Sequence, residues 1–78
     1  LKDIFTEDFL SKQDLNPRQI RAVLYVKEHG SITNAKYQEI NKVSKPTATR
    51  DLQELNRKEI LENKGKKGAG AVYVLVGS

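Results

Sequence analysis

The side chains with the most chemistry to offer lie between Ser44 and Arg57, in the run SKPTATRDLQELNR. Lys45, Pro46, Thr49, Arg50 and Gln53 recur at intervals of three and four, the spacing that aligns side chains along one face of an α-helix. Apart from the proline, each is a hydrogen-bond donor, and two carry a fixed positive charge. A row of donors of moderate length suits a partner rich in acceptors and negative charge.

The opposite side of the same run is narrow and apolar. With Ala48 at the centre of a stripe and about 100° per residue, Leu52 and Leu55 fall within about 40° of it. Pro46, Arg50, Gln53 and Arg57 fall near the far side, with Thr49 at its edge. Ala48 is small enough for a neighbouring helix to cross closely. The outward face fits a DNA major groove without steric conflict. Arg50 reaches a phosphate or the O6/N7 edge of guanine. Gln53 reaches adenine or a phosphate, and Thr49 a phosphate or a thymine methyl. Ser44, as N-cap, and the free amides of the first turn favour a phosphate, and Lys45 adds to that attraction. The competing reading is an ordinary solvated helix face, with Arg50 paired to Glu54.

A second basic cluster follows. Lys64 precedes the glycine-rich stretch GKKGAG, which contains Lys66 and Lys67, and no acid occurs after Glu62. The net charge of +4 lies wholly in residues 31–78, because residues 1–30 carry as many acids as bases. A polyanion is the natural partner for two basic elements in succession. The plainer alternative is a turn and a surface charged for solubility.

Other chemistry is poorly supplied. The chain has no cysteine, so disulfides and thiolate metal ligands are excluded, and its lone histidine, His29, cannot build a metal cluster. No titratable groups converge in the pattern that catalysis needs, so no catalytic residue, cofactor or metal is expected. No apolar run approaches the about 20 residues of a membrane span, and no signal-peptide pattern opens the chain. A cytoplasmic setting is expected. With 78 residues, one small domain of a few kcal/mol stability is the most the chain allows. It begins at Leu1 and holds no Met, which points to a piece of a longer protein.

These residues need a scaffold, and the rest of the sequence reads as one. Residues 1–14 suggest a leading helix or connector, with Ile4, Phe5, Phe9 and Leu10 apolar and Thr6 capping a short helix over residues 7–12. Asn16-Pro17-Arg18-Gln19 is a helix start with cap, first-turn proline and capping-box glutamine. Ile20, Val23, Leu24 and Val26 line one face, and Gly30 ends the helix. His29 fits the negative end of that helix. Ser31-Ile32 reads as a short extended segment. Thr33 caps a second helix to about Ile40, with Tyr37 and Ile40 inward, Asn41-Lys42 as a turn and Val43 beneath it. The third helix runs from Lys45 to about Lys58, with Glu54 and Lys58 paired at i,i+4. Residues 60–64 and 71–76 then read as two strands of an antiparallel hairpin around the Gly/Lys turn. Tyr73 belongs to a strand, so it and Tyr37 suit packing better than base stacking; Tyr25 falls on the exposed side.

Helix, short strand, helix, tight turn, helix and hairpin is the layout of a winged helix-turn-helix. From Ser31 to Leu75 the chain resembles the bacterial winged helix-turn-helix superfamily, and VSKPTATRDLQEL resembles the recognition helix of ArsR- and DeoR-like repressors. The longer run LNPRQIRAVLYVKEHGSITNAKYQEINKVSKPTATRDLQEL, followed by IL…G…YVL, is similar to the C-terminal winged helix of RecG-related helicases or transcriptional regulators and of some Fic proteins. The resemblance implies duplex DNA binding, often in transcriptional control, with Lys45, Pro46, Thr49 and Arg50 at positions where relatives touch DNA and Thr47 at one that bonds within the motif. Two positions depart from the pattern. Relatives commonly carry Gly just after the third helix, where this chain has Lys58-Glu59. A Glu at positive φ costs about 1 kcal/mol, so a different helix end is expected. Relatives often carry a small or polar residue where Pro46 stands, and Pro46 removes one amide that could hold a phosphate.

The expected fold class is α+β, mostly α: residues 1–14 as a helix or connector, and residues 15–78 as a winged helix-turn-helix with a three-helix core and a C-terminal hairpin wing. The expected function is a double-stranded DNA-binding module, with helix 45–58 in the major groove, wing lysines on the backbone, and pairing of two copies through a larger parent protein. The rival is a winged helix used for protein–protein contact or dimerisation, which an apolar outer face on the third helix would favour.

Overall fold

The computed structural model describes residues 14–65 and 71–77. The leading helix expected in residues 1–14 therefore falls, apart from Asp14, outside the described residues, as do Lys66 and Lys67.

Helix α1 spans Pro17–His29. Its start is the reciprocal cap that the sequence suggests: the Asn16 side chain accepts from the Gln19 amide at 2.8 Å, and the Asn16 amide donates back to Gln19 Oε1 at 3.0 Å. Gly30 closes it at φ 97°, a left-sided conformation open to glycine, and its N–H reaches the Val26 carbonyl at 2.7 Å. Strand β1 (Ile32–Thr33) follows and runs into α2 (Asn34–Asn41), where Thr33 Oγ1 accepts from the Lys36 amide at 3.1 Å. Lys42, at φ 53°, ends α2, and after this tight turn α3 spans Lys45–Arg57.

Strands β2 (Leu61–Asn63) and β3 (Val72–Leu75) form the antiparallel hairpin, in the register Leu61↔Leu75 and Asn63↔Tyr73. The short segment at Ile32 is more than extended chain. It pairs antiparallel with β3, Ile32 opposite Tyr73, so the sheet has three strands in the order β1-β3-β2. This pairing fastens the hairpin to the start of α2 and so fixes where the wing stands relative to the helices.

The core is the meeting point of the three helices and the sheet. Ala22, Val23, Val26, Ile32, Tyr37, Ala48, Leu52, Leu55, Ile60 and Leu61 are all buried there. Ala48, Leu52 and Leu55 are the narrow stripe read from the sequence, and each has no measurable exposure. The result is the winged helix-turn-helix architecture, three helices with a small antiparallel sheet.

Two local expectations need correction. Ser44 occupies the N-cap position of α3, but its side chain makes no capping bond to the helix amides; its hydroxyl lies 3.2 Å from Thr47 Oγ1 instead. Nor does the helix end differently for want of glycine. The Glu59 amide donates to the Asn56 carbonyl at 2.9 Å and the Ile60 amide to Leu55 at 3.0 Å, the bond pair of a Schellman closure, with Glu59 at φ 60°. Burial of Ile60 against the Leu55 end of α3 holds the turn shut and forces Glu59 into the strained conformation.

Candidate nucleic-acid interface

The outer side of α3 and the hairpin border one open concavity of about 580 Å³. Lys45, Thr49, Gln53, Asn56 and Arg57 line it from the helix, Asn34 from the start of α2, and Asn63, Ala71 and Tyr73 from the hairpin. At about 100° per residue these α3 positions occupy the flank that runs from the edge of the buried stripe to the far face. The lining is dominated by amides and cations, and it contains no carboxylate among the described residues.

The expected site residues separate by position and by how they are engaged. Lys45, Pro46, Arg50 and Gln53 are exposed, and Thr49 is half-buried. Lys45, Thr49 and Gln53 face the concavity, while Pro46 and Arg50 lie outside its lining. The suggested Arg50–Glu54 pair does not form. Glu54 instead stands 3.9 Å from both Arg57 and Lys58, the second being the i,i+4 pair expected. Among the described residues, the side chains of Arg50 and Gln53 make no intrachain hydrogen bond or ion pair, so their donors are open to a ligand. Thr49 is engaged: its Oγ1 accepts from Asn34 Nδ2 at 2.9 Å.

On the wing, Lys64 is exposed just after β2, with its amide held by the Val72 carbonyl at 2.7 Å. Although no acid follows Glu62 in the chain, Glu62 itself stands beside the basic cluster. Glu62 Oε1 lies 3.9 Å from Lys64 Nζ, since Lys64, two residues on, continues the pleat of β2 on the same face. Both side chains are well exposed, so this pair is worth about 0–1 kcal/mol and leaves the ammonium largely available. Gly65 takes the turn with its amide on Asn63 Oδ1 at 2.9 Å.

Behind the interface lies a group the sequence reading missed. Asp51, on α3 and only 4% exposed, accepts from Tyr37 Oη at 2.6 Å, from Arg18 Nε at 2.8 Å and Nη2 at 3.4 Å, and from Asn16 Nδ2 at 3.5 Å. Gln19, also buried, donates to the Asp51 carbonyl at 3.2 Å. One carboxylate thus ties α3 to both other helices. The available signal was its angle: at about 60° from Ala48, Asp51 is the acidic residue beside the buried stripe. Asn34 and Asn63 gave no such signal, since only the closed fold brings them to α3.

His29 sits at the exposed end of α1 as expected, 3.5 Å from Glu28 and with its ring centroid 4.3 Å from that of Tyr25. Tyr25 is half-buried against the core rather than fully exposed. No group of three or more His, Cys, Asp or Glu capable of holding a metal ion occurs among the described residues, and no described helix is long and apolar enough to cross a membrane.

No family model matches the chain, and no curated protein matches it. Solved structures do. The reduced form of MarR from E. coli aligns with a TM-score of 0.69 at 23% identity, over 94% of this chain and 55% of that one. A mutant MarR from E. coli complexed with operator DNA aligns with a TM-score of 0.69 at 21% identity, over 96% of this chain and 55% of that one. The chain thus spans about half the length of these neighbours, and at such identities the likeness establishes the shared winged helix-turn-helix fold.

Proposed function

We propose that this chain is a double-stranded DNA-binding module. The observation that carries the reading is the common concavity: the donor-bearing flank of α3 and the hairpin border the same open surface, with no carboxylate in its described lining. A convex helix enters a major groove while the wing beside it follows the backbone, which needs both elements on one side of the molecule. Arg50 and Gln53 supply unengaged donors for base edges or phosphates. Lys45 and Lys64, with Lys66 and Lys67, supply charge against the backbone, and the backbone amides of Lys45 and Thr47 at the start of α3 lie where a phosphate is favoured. The structural neighbour complexed with operator DNA supports the same reading. Docking on a protein surface is the weaker alternative, since the outer face of α3 is polar.

Within this reading the module supplies targeting in a larger cytoplasmic bacterial protein, of the transcriptional-regulator, RecG-related helicase or Fic type that the sequence resembles. Catalysis, where the parent has it, belongs to another domain. One copy offers few phosphate contacts, so two copies on neighbouring half-sites supply the working affinity.

The test is fluorescence anisotropy of a labelled random duplex at about 50 mM and about 200 mM salt. Binding that is clear at the lower salt and falls by an order of magnitude or more at the higher is expected. No binding at low salt and high protein concentration would overturn the proposal.

A further inference from the structure

Thr49 and Asn34 both face the concavity, yet they come from different helices. Asn34 is the first residue of α2. Its carboxamide is engaged at both ends: Nδ2 donates to Thr49 Oγ1 at 2.9 Å, and Oδ1 accepts from Gln38 Nε2 at 2.5 Å. In this arrangement the Asn34 oxygen accepts from Gln38 and its nitrogen is the end that meets Thr49.

A threonine hydroxyl has one proton to give and two lone pairs to receive with. The Asn34 donor fills one lone pair, so the group that remains to be satisfied is the proton. Accepting a hydrogen bond also polarises the hydroxyl toward giving its own. Thr49 therefore presents itself to the concavity as a donor, matched to an acceptor without protons. In a DNA duplex such acceptors are the phosphate oxygens, present at every step and the commonest protein contacts, and the N7, O6 and O4 atoms of particular bases, whereas the exocyclic amines of adenine and cytosine offer protons and do not fit.

We propose that Asn34 is a positioning residue for DNA binding: its side-chain amide holds the Thr49 hydroxyl as a donor to a backbone phosphate, and Gln38 holds Asn34. This rests on the DNA-binding reading above. It assigns Thr49 to the backbone rather than to a thymine methyl, and it leaves sequence readout to other side chains of the outer face, such as the unengaged Gln53.

The experiment is a double-mutant cycle on duplex affinity, with unfolding midpoints recorded for every variant. Thr49→Val weakens binding about tenfold, the scale of a hydrogen bond to a charged group, while Thr49→Ser retains most of the affinity. Asn34→Ala weakens it severalfold in the native background and has no further effect in the Thr49→Val background. Gln38→Ala gives a smaller loss with the same dependence, and its cycle decides the matter if Asn34→Ala does not fold. Because the hydroxyl is neutral and displaces no counterion, these variants leave the slope of log affinity against log salt unchanged, and the loss is uniform across duplexes of different sequence. Wild-type binding with losses that simply multiply in the cycle, or with a loss confined to particular sequences, overturns the Asn34–Thr49 assignment and leaves the DNA reading standing. Wild-type failure to bind at low salt overturns both.

Discussion

The phenol of Tyr37 donates to Asp51 Oδ2 at 2.6 Å, in a part of the core where Tyr37 has no exposure at all. Tyr37 belongs to α2 and Asp51 to α3, so this bond spans the two helices of the helix-turn-helix. Arg18 and Asn16 extend it to the start of α1. A buried carboxylate is tolerated only when its oxygens are satisfied, so removing a single partner of Asp51 is costly. Among the described residues no buried side-chain nitrogen or oxygen lacks a partner.

The first consequence is a loss of stability in acid. Burial acts to raise the Asp51 pKa, but the hydrogen bonds from Arg18 and Tyr37, the charge of Arg18 and the bond from Asn16 outweigh it, so the carboxyl titrates below its ordinary 3.8. The unfolded chain therefore binds the proton first as pH falls. The contribution of Asp51 is complete above the unfolded value of about 3.9 and is lost as pH falls through the lower folded value. Urea unfolding followed from about pH 6 to about pH 2 should show the midpoint falling steeply only below about pH 4. The same titration of Asp51→Asn should be flatter over that range.

The opposite limb belongs to Tyr37. Burial, and then its bond to Asp51 and the charge of Asp51, raise its pKa far above the ordinary 10.0. The folded state keeps the phenol neutral, so its contribution is whole below about pH 10 and declines as the unfolded chain ionises above that. Absorbance titration of the phenolate should show one tyrosine that ionises only together with unfolding.

Substitutions in the network should separate its buried members from the part-exposed Arg18. Tyr37→Phe removes a buried donor to a charged group and should cost about 2 kcal/mol. Asp51→Ala leaves the Tyr37 hydroxyl without a partner and should cost about 3 kcal/mol. Arg18→Ala should cost only about 1 kcal/mol, since the Arg18 side chain is 40% exposed and water screens its pairing with Asp51. Equal losses for Arg18 and Asp51, measured by urea denaturation, would contradict this ordering.

Glu59 offers a change in the other direction. It is exposed and sits at φ 60°, where a side chain costs about 1–2 kcal/mol and glycine costs little. Part of the gain is offset by the extra freedom of glycine in the unfolded chain. Glu59→Gly should therefore stabilise the fold by about 0.5–1 kcal/mol, a rise of a few degrees in Tm for a chain of this size. A fall in Tm would show that the Glu59 side chain contributes more than its backbone strain takes away.

The helices were legible because their signals are local. Asn16-Pro17-Arg18-Gln19 caps its own helix, and Ala48, Leu52 and Leu55 mark their own buried side, so three-residue and four-residue spacings were enough. What the sequence withheld depends on distant partners. Ile32 pairs with Tyr73 across the sheet, and a two-residue strand has too little pattern to announce that. Asp51 reads as one more charge on a polar helix until Arg18 and Tyr37 surround it. Glu59 misled in the same way: local preference argued against a left-handed residue there, and the burial of Ile60 overrode it. On the outer side of α3, the exposure of Arg50 and Gln53 was legible from spacing alone, whereas the bond between Asn34 and Thr49 exists only once two helices have closed together.

The two kinds of contact expected at the interface should separate in their salt dependence. Arg50 is exposed and without an intrachain partner among the described residues, so its charge is fully available to a phosphate. Arg50→Ala should weaken duplex binding and reduce the slope of log affinity against log salt by about one. Lys64 begins with Glu62 3.9 Å away, and that pair must loosen before the ammonium neutralises a phosphate. Lys64→Ala should therefore reduce affinity and slope by less than Arg50→Ala, and Glu62→Gln should strengthen binding slightly by freeing Lys64 and removing a negative charge beside the wing. Gln53→Ala should leave the slope unchanged and instead narrow the difference in affinity between preferred and scrambled duplexes, because an amide reads base edges without displacing counterions. Anisotropy titrations at four salt concentrations distinguish these outcomes. Identical slopes for wild type and Arg50→Ala would place Arg50 off the DNA backbone and leave base contact as its role.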